Sequence, residues 1–203
     1  MRSRLTTALA LAGLALAAAQ GATAASATLP LPARLLQPGE LAGFKADQGL
    51  AHYPSAALWV QSDPRLSAAQ RASELARLRH EGFKGLDERF YARSISQEGV
   101  SWVMQLGSPA SARAELAASL AKYKRQDVAS GATFTPYPVT RIPGARGFRL
   151  SGGGQIGENV FFTDGPYLYL VGVGWAVGES HAPTRAGLIA AATKPYTRVH
   201  AAG

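Results

Sequence analysis

The sequence predicts an α+β domain, in which an antiparallel sheet carries about three helices packed on one face. Two observations lead to this prediction. Strand-like and helix-like segments follow each other in the order strand, helix, two strands, helix, several strands, helix. Neighbouring strand-like segments are separated by short turns, which join antiparallel strands. The composition agrees with a folded core, because 47% of the 203 residues are hydrophobic and only 17% are charged.

The first predicted strand and helix lie between residues 56 and 82. Residues 56–61 form a short apolar run that ends at a Ser-Asp-Pro breaker, a pattern typical of a strand followed by a turn. Ser67 and Gln70 then have the spacing of a capping box, and Gly82 provides a stop signal. These signals predict a helix between Ser67 and Gly82.

A hairpin and a clear helix signal follow. Residues 86–93 and 100–106 have strand character on either side of Gln97-Glu98-Gly99, which predicts two paired strands. Ser108-Pro109 combines an N-cap residue with a proline at the first helical position, and apolar residues continue at helical spacing up to Tyr123. A second helix is therefore predicted after residue 108.

The C-terminal part predicts further strands and a third helix. The segments are an edge strand at 133–139, a strand at 148–151, a hairpin of 158–163 and 167–175 around Asp164-Gly165-Pro166, and a helix at 183–193 stopped by Pro195. The first of these strands contains two prolines. It is placed at a sheet edge because proline cannot donate a hydrogen bond to a neighbouring strand.

Two short segments of the sequence are weakly similar to each other. Leu58-Trp59-Val60-Gln61 precedes one predicted helix as Trp102-Val103-Met104-Gln105 precedes the next. This similarity is compatible with a tandem duplication of a strand-helix-strand-strand unit. A domain without internal repeats is the open alternative.

Residues 1–24 have the three parts of a secretory signal peptide. Arg2 and Arg4 form the basic part, an apolar run covers residues 5–19, and Ala22-Thr23-Ala24 is a cleavage signal. A second cleavage signal, Ala25-Ser26-Ala27, follows directly. The apolar run is shorter than the roughly 20 residues that span a bilayer, so we expect an exported protein that is soluble after cleavage.

The rest of the chain divides into two predicted parts. Residues 25–40 are rich in Ala, Leu and Pro without clear periodicity, which predicts an extended lead-in. Residues 41–203 are predicted to form a single α+β domain, since one core commonly occupies roughly 100 to 200 residues.

Charge and the absence of cysteine limit the function classes. With no cysteine, the chain has no disulfide, thiolate metal site, iron–sulfur cluster or cysteine nucleophile. Removal of the signal peptide would lower the formal charge from +8 to +6. In an exported protein this charge favours an anionic envelope polymer or lipid head groups over nucleic acid as the partner. Solubility is the alternative explanation.

Basic residues are the first group of candidate ligand-binding residues. They end the second predicted helix and continue in the Pro/Gly-rich segment after it: Lys122, Lys124, Arg125, Arg141, Arg146 and Arg149. Together they would form a surface patch for an anionic polymer. Helix-dipole complementarity and solvated loop charge explain the same residues without a ligand.

Aromatic residues on one strand are the second group. Tyr167, Tyr169 and Trp175 occupy one strand face by their period of two. An exposed ladder would suit carbohydrate stacking or a dimer interface, whereas core packing is the commoner use of such residues. Gly172 and Gly174 on the opposite face leave room for a close neighbour, either a helix or a ligand.

Two motifs that resemble catalytic or cofactor signatures lack the necessary context. Residues 152–157 match G-x-G-x-x-G, but a strand-like segment follows them where a phosphate-binding helix is required, so a hairpin loop is predicted. Ser119 and Lys122 match S-x-x-K, but the companion K-T-G and S-D-N elements are absent. The sequence therefore predicts no cofactor.

Histidines and carboxylates also fail to form a predictable site. No two of the four histidines have the short spacing that places paired imidazoles on one helix face for a metal. Asp87 and Glu88 are adjacent on a predicted strand, so they point to opposite faces, and we expect them to pair with Arg89 or Arg93. No catalytic residue and no metal ligand is predicted.

The C-terminal stretch resembles a known class of sequences. Residues 159–171, followed by a helix and Tyr196-Thr197-Arg198-Val199, are similar to a feature of uncharacterised exported proteins of high-GC bacteria. The resemblance covers roughly the last 60 residues and contains no catalytic signature. It implies an α+β domain of unknown activity.

Three function hypotheses follow from the sequence. The first is an exported, non-catalytic protein that binds a ligand or partner in the cell envelope or outside the cell. The second is a secreted hydrolase whose residues come from scattered loops. The third is a homodimeric interaction module. Burial or exposure of the aromatic residues, and any cleft that joins a histidine, a carboxylate and a hydroxyl, would distinguish between them.

Overall fold

The computed structural model describes residues 29–47, 49–129 and 131–201. The predicted signal peptide and the first residues of the predicted lead-in lie outside these ranges. Within the described ranges, no helix combines the length and the apolar character that a membrane span requires.

Among the described residues, an antiparallel sheet of eight strands forms the centre of the structure. The strands are β1 (Lys45–Ala46), β2 (Ala51–Tyr53), β3 (Gly85–Ser94), β4 (Gln97–Gln105), β5 (Thr133–Pro138), β6 (Arg146–Gly152), β7 (Gln155–Asp164) and β8 (Tyr167–Ala176). Their order is β1-β3-β4-β8-β7-β6-β5, and β2 also pairs with β3. Strand β5 lies at an edge, as its prolines predict.

In the part of the chain that the structure describes, five helices pack against the sheet. They are α1 (Leu31–Arg34), α2 (Ala56–Ser62), α3 (Ala68–His80), α4 (Pro109–Ala129) and α5 (Arg185–Ala201). The predicted α+β class with an antiparallel sheet is therefore confirmed.

The helices lie on both faces of the sheet rather than on one. Helices α4 and α5 contact the same strands, β7 and β8, and belong to separate core clusters. We call the face covered by α1 and α5 the closed face, and the face covered by α2, α3 and α4 the open face. The reason is that β8 is apolar at almost every position from Tyr167 to Val173, so that both of its sides must be buried.

Residues 56–61 form helix α2, and the predicted strand is wrong. The Ser55 hydroxyl accepts a hydrogen bond from the Leu58 backbone N–H and caps the helix. Ala56 and Val60, one turn apart, are the buried residues. The short apolar run fits one helical turn as well as a strand, and the cap decides between them. The two similar segments are therefore not a structural repeat, because residues 58–61 lie in helix α2 and residues 102–105 lie in strand β4.

The other predicted elements are present, with shifted ends. The predicted capping box of Ser67 and Gln70 starts α3. The β3–β4 turn lies at Ile95 and Ser96, not at 97–99. Gly99 lies in β4, where Leu41 packs directly over it. A Cβ atom at this position would lie 2.7 Å from a methyl carbon of Leu41.

Helix α5 continues through Pro195, which was predicted to stop it. Proline removes one backbone hydrogen bond from the helix interior. Ala191, Pro195 and Val199 follow each other at four-residue spacing and are all buried against the closed face. This packing offsets the lost hydrogen bond.

The predicted extended lead-in contains a helix and contributes to the core. Helix α1 begins with Leu31 and Pro32, where a proline is tolerated because its missing N–H would have no partner in the helix. Leu35 and Leu36 are fully buried. The buried Arg34 guanidinium donates to the Tyr169 hydroxyl at 2.9 Å and lies 3.7 Å above the Tyr167 ring. The packed structure thus starts before the predicted boundary at residue 41.

Candidate functional site

The open face carries a cleft of about 530 Å³. Strands β3, β4, β7 and β8 form its floor, while β2, α2, residues 62–66, α3 and α4 form its sides. The helices cover one end of the open face, where Trp102, Phe161 and Leu168 are buried. The cleft lies where this cover ends.

The pairing of residues across neighbouring strands explains why few side chains rise above the sheet at the floor of the cleft. Two successive rows run across it: Phe90, Val100, Gly172 and Asn159, then Glu98, Gly174 and Gly157. A Cβ atom at Gly174 would have no neighbour closer than 3.5 Å, and one at Gly157 none closer than 3.8 Å. At Gly172 the Asn159 amide occupies the space of a side chain, with its oxygen 2.5 Å from a Cβ position. The floor therefore has bare backbone at Gly157 and Gly174, next to side chains of the same two rows.

Three aromatic residues form a continuous wall of the cleft. The Tyr53 and Trp59 ring centroids are 5.1 Å apart, and those of Trp59 and Trp102 are 6.4 Å apart. We call these three residues the aromatic wall. Tyr53 and Trp59 are partly exposed, so the wall offers ring surface to a bound molecule.

Five carboxylates line the cleft, and three of them are already paired with cations. Asp63 pairs with Arg65 at 2.9 Å, Glu74 pairs with Lys122 at 3.5 Å, and the Arg77 guanidinium bridges Glu74 and Glu115. Glu88 and Glu98 form no ion pair with any described residue. The cleft thus carries more negative than positive charge.

Glu88 is the unusual carboxyl group of this set. Its side chain lines the cleft, yet the residue is only 7% exposed. Burial raises the pKa of Glu88 to about 7, and a hydrogen bond from the Tyr53 hydroxyl opposes this rise. Trp102 is its direct cross-strand neighbour.

The predicted separation of Asp87 and Glu88 is confirmed, but their predicted partners are wrong. Asp87 lies on the closed-face side of β3 and pairs with the His52 imidazole at 2.5 Å. Arg89 donates instead to the Leu36 carbonyl at 2.7 Å. Arg93 donates to the His181 carbonyl at 3.0 Å. Leu36 belongs to the N-terminal segment, whereas His181 lies in the loop between β8 and α5.

The predicted basic residues do not meet at one place. Lys122 lines the cleft and pairs with Glu74, whereas Arg149 pairs with Glu158 at 3.3 Å on the closed-face side. The other members are exposed at separate positions of α4, β6 and the loop before it: Lys124, Arg125, Arg141 and Arg146. Binding of an anionic polymer or lipid head group by these residues stays a prediction.

The predicted aromatic ladder lies in the core. Tyr167, Tyr169 and Trp175 share one face of β8, as their period predicts, and each is 5% exposed or less. The Tyr169 ring stacks on Phe162 with centroids 4.5 Å apart. These residues therefore present no exposed ladder to a carbohydrate or to a second copy of the chain.

The remaining motifs have structural roles. Gly153 and Gly154 have φ angles of 57° and 74° and form the β6–β7 hairpin turn, as predicted for the G-x-G-x-x-G match. The Ser119 hydroxyl donates to Glu115 at 3.0 Å. Among the described residues, no three His, Asp or Glu side chains are grouped closely enough to hold a metal ion.

Most residues that line the cleft are not among the ligand-binding residues predicted from the sequence. Tyr53, Trp59 and Glu88 come from three elements whose approach depends on the fold of α2, which was predicted as a strand. Gly172 and Gly174 did carry a signal, because two glycines on one strand face leave space above it.

Comparisons with known proteins find a likeness only at the level of structure. No protein-family model matches the chain. No curated protein matches it either. Among solved structures, the chain is similar to the extracellular domain of PknH from Mycobacterium tuberculosis, with a TM-score of 0.49 and 12% sequence identity over 82% of this chain and 95% of that chain.

Proposed function

We propose that this protein is exported and binds a small organic molecule, without catalysis, in the cleft on the open face. The observation that carries the proposal is the cleft itself. Its volume of about 530 Å³ lies within the range of roughly 300 to 1,000 Å³ that is typical of small-molecule sites. Export rests on the sequence pattern of residues 1–24.

The lining of the cleft supports binding of an organic ligand. Apolar and aromatic side chains provide most of a small-molecule site, and a few polar groups fix the orientation of the ligand. Here the aromatic wall, Phe90 and Val100 supply the apolar surface, and Glu88 and Asn159 supply polar groups. The bare glycine backbone allows a ligand to approach the sheet closely.

The same lining favours binding over hydrolysis. Carboxylates and hydroxyls meet in the cleft, but none of its described lining residues is a histidine. The one hydroxyl nucleophile candidate from the sequence, Ser119, donates a hydrogen bond to Glu115, and the Glu115 carboxylate is paired with Arg77. The hydrolase hypothesis therefore lacks the group that was expected to activate a nucleophile.

Filling the cleft tests the proposal. Gly174→Leu places a branched side chain above the floor, and Gly157→Leu does so from the neighbouring strand. Gly49→Leu is the matched control, since Gly49 is exposed and has no neighbour within 4 Å of a Cβ position. All three variants would be compared with the wild type by circular dichroism to show that they fold.

Native mass spectrometry of the exported protein, followed by a ligand-observed NMR screen of small organic molecules, gives the readout. We expect a ligand whose affinity falls at least tenfold in both cleft variants and is unchanged in Gly49→Leu. An affinity that is unchanged in both folded cleft variants, or the absence of any ligand whose binding depends on the cleft, would overturn the proposal. Turnover of a bound molecule would favour the hydrolase.

A further inference from the structure

The charge balance inside the cleft selects for a positively charged ligand. Asp63, Glu74 and Glu115 have cationic partners, so their charges are neutralised by the protein itself. Glu88 has none among the described residues, although it is more than nine-tenths buried. A buried carboxylate without a counter-ion is costly, and a cation bound beside it would remove that cost.

The surroundings of Glu88 are aromatic, which favours an organic cation. Trp102 is its direct cross-strand neighbour, Tyr53 donates a hydrogen bond to it, and Trp59 contacts both rings. Aromatic faces carry negative electrostatic potential and attract ammonium groups, most strongly where water is excluded. A carboxylate and an aromatic wall at one site are complementary to the charge and to the carbon substituents of an ammonium ion.

Two other ligand classes fit less well. A metal ion requires several oxygen or nitrogen ligands at once, and no such group exists among the described residues. An anion would need free cations in the cleft, but Arg65 and Lys122 are held by Asp63 and Glu74. An organic body also makes use of Phe90, Val100 and the glycine floor, which a bare ion would leave uncovered.

We propose that the cleft binds an organic ammonium ion, with Glu88 as its counter-ion and the aromatic wall as its contact surface. This inference rests on the proposed function, since it names the ligand class for the same cleft. The cation lies against Trp59 and Tyr53, and its carbon chain extends over Gly172 and Gly174.

A matched pair of probes separates charge from shape. Choline and 3,3-dimethylbutan-1-ol have the same size and shape, but only choline is charged. Isothermal titration calorimetry is the measurement, and a change in tryptophan fluorescence that is lost in Trp59→Leu locates binding. We expect choline to bind at least tenfold more tightly than the alcohol, and we expect Gly174→Leu to abolish binding of choline.

Two isosteric variants then test the role of Glu88. Glu88→Gln should remove the preference for choline over the alcohol, while Glu98→Gln, at an exposed carboxylate on the same floor, should keep at least half of it. Glu88→Gln is expected to fold because it replaces a buried charge with a neutral group of the same shape. Trp59→Leu should weaken choline more than it weakens the alcohol, because it removes the ring but keeps an apolar side chain.

The possible results separate this inference from the proposed function. Equal binding of both probes, or a preference for choline that survives in Glu88→Gln, would overturn the ammonium inference. If neutral or anionic molecules bind more tightly than choline, in a way that Gly174→Leu abolishes, the proposed function stands and the ammonium inference fails. If no molecule binds in a cleft-dependent way, both fail.

Discussion

The two faces of the sheet use the same strands in different ways. On the closed face, β8 presents Tyr167, Tyr169 and Trp175, which are buried in one core cluster with residues of α5 and of the N-terminal segment. On the open face, the same strand presents Leu168 and Leu170 and then two glycines. The helices cover the leucines and leave the glycines as the floor of the cleft.

Glycines show the same contrast on neighbouring strands. Gly147 on β6 faces the closed side, where the Tyr137 ring lies on it so closely that a Cβ atom would be 2.0 Å from a ring carbon. Gly157 and Gly174 on the open face have no comparable cover. A neighbouring ring fills the space of the missing side chain at Gly147, whereas the space above Gly157 and Gly174 is left open.

The largest expected difference between the faces concerns their aromatic residues. Tyr169→Ala should lower the free energy of unfolding by about 3–5 kcal/mol, because it removes a buried ring stacked on Phe162 and the acceptor of the Arg34 hydrogen bond. Phe90→Ala on the open face should cost less than about 1 kcal/mol, since Phe90 is 37% exposed. Urea denaturation measures both values. Equal losses would show that the open face is as tightly packed as the closed one.

This contrast also decides which parts of the structure could be predicted. Capping residues, proline positions and strand alternation are local signals, and they correctly predict α3, α4, the two hairpins and the edge position of β5. The α2 segment and the continuation of α5 through Pro195 depend on which residues meet the core. Such contacts join positions that are distant along the chain, so no local pattern contains them.

The site was harder to predict than the fold for the same reason. The charged residues that the sequence predicts as ligand-binding are exposed or clustered. The carboxyl group that distinguishes the cleft, Glu88, is buried, and its burial depends on α2 and β4. The positive net charge pointed to anionic ligands, whereas carboxylates outnumber cationic side chains among the charged residues that line the cleft. Net charge describes the whole surface, and a cleft can have the opposite sign.

Glu88 on the open face and Glu158 on the closed face, both buried, should respond oppositely to replacement by glutamine. The pKa of Glu88 rises from 4.5 to about 7 on folding, so the folded state binds the extra proton. Stability from this group is therefore lost as the pH rises from about 4.5 to 7, by up to about 3 kcal/mol. Glu88→Gln should remove that part of the pH dependence and be more stable than the wild type at pH 8.

Urea denaturation at pH 5 and pH 8 checks this expectation, with Glu98→Gln as the control that keeps the slope of the wild type. If Glu88→Gln follows the wild type at both pH values, Glu88 is not desolvated in the folded protein. Tyr53→Phe sharpens the test. Because the Tyr53 hydroxyl opposes the rise in the pKa of Glu88, its loss should steepen the decline in stability.

Glu158 on the closed face should show a smaller change of the other sign. Its carboxylate is 3% exposed and accepts hydrogen bonds from Arg149 at 3.3 Å and Arg185 at 3.2 Å. Glu158→Gln should lower the free energy of unfolding by about 2 kcal/mol at pH 8, because charge-assisted hydrogen bonds are replaced by weaker ones. A stabilising effect at Glu158 would mean that the two glutamates are equivalent.

The smallest expected effect concerns helix α3, which borders the cleft, in comparison with α5 on the closed face. Leu78 is the one buried residue of α3 among its described positions, so this helix depends on its cap more than α5, which buries five residues. Ser67→Ala should cost about 1 kcal/mol, because the Gln70 backbone N–H loses its acceptor. Hydrogen exchange should accelerate in the first turn of α3 and stay unchanged in α5. Ser73→Ala, at an exposed position of the same helix, is the control. If exchange in α5 accelerates equally, the two faces unfold as one unit, and the border of the cleft is no more mobile than the closed core.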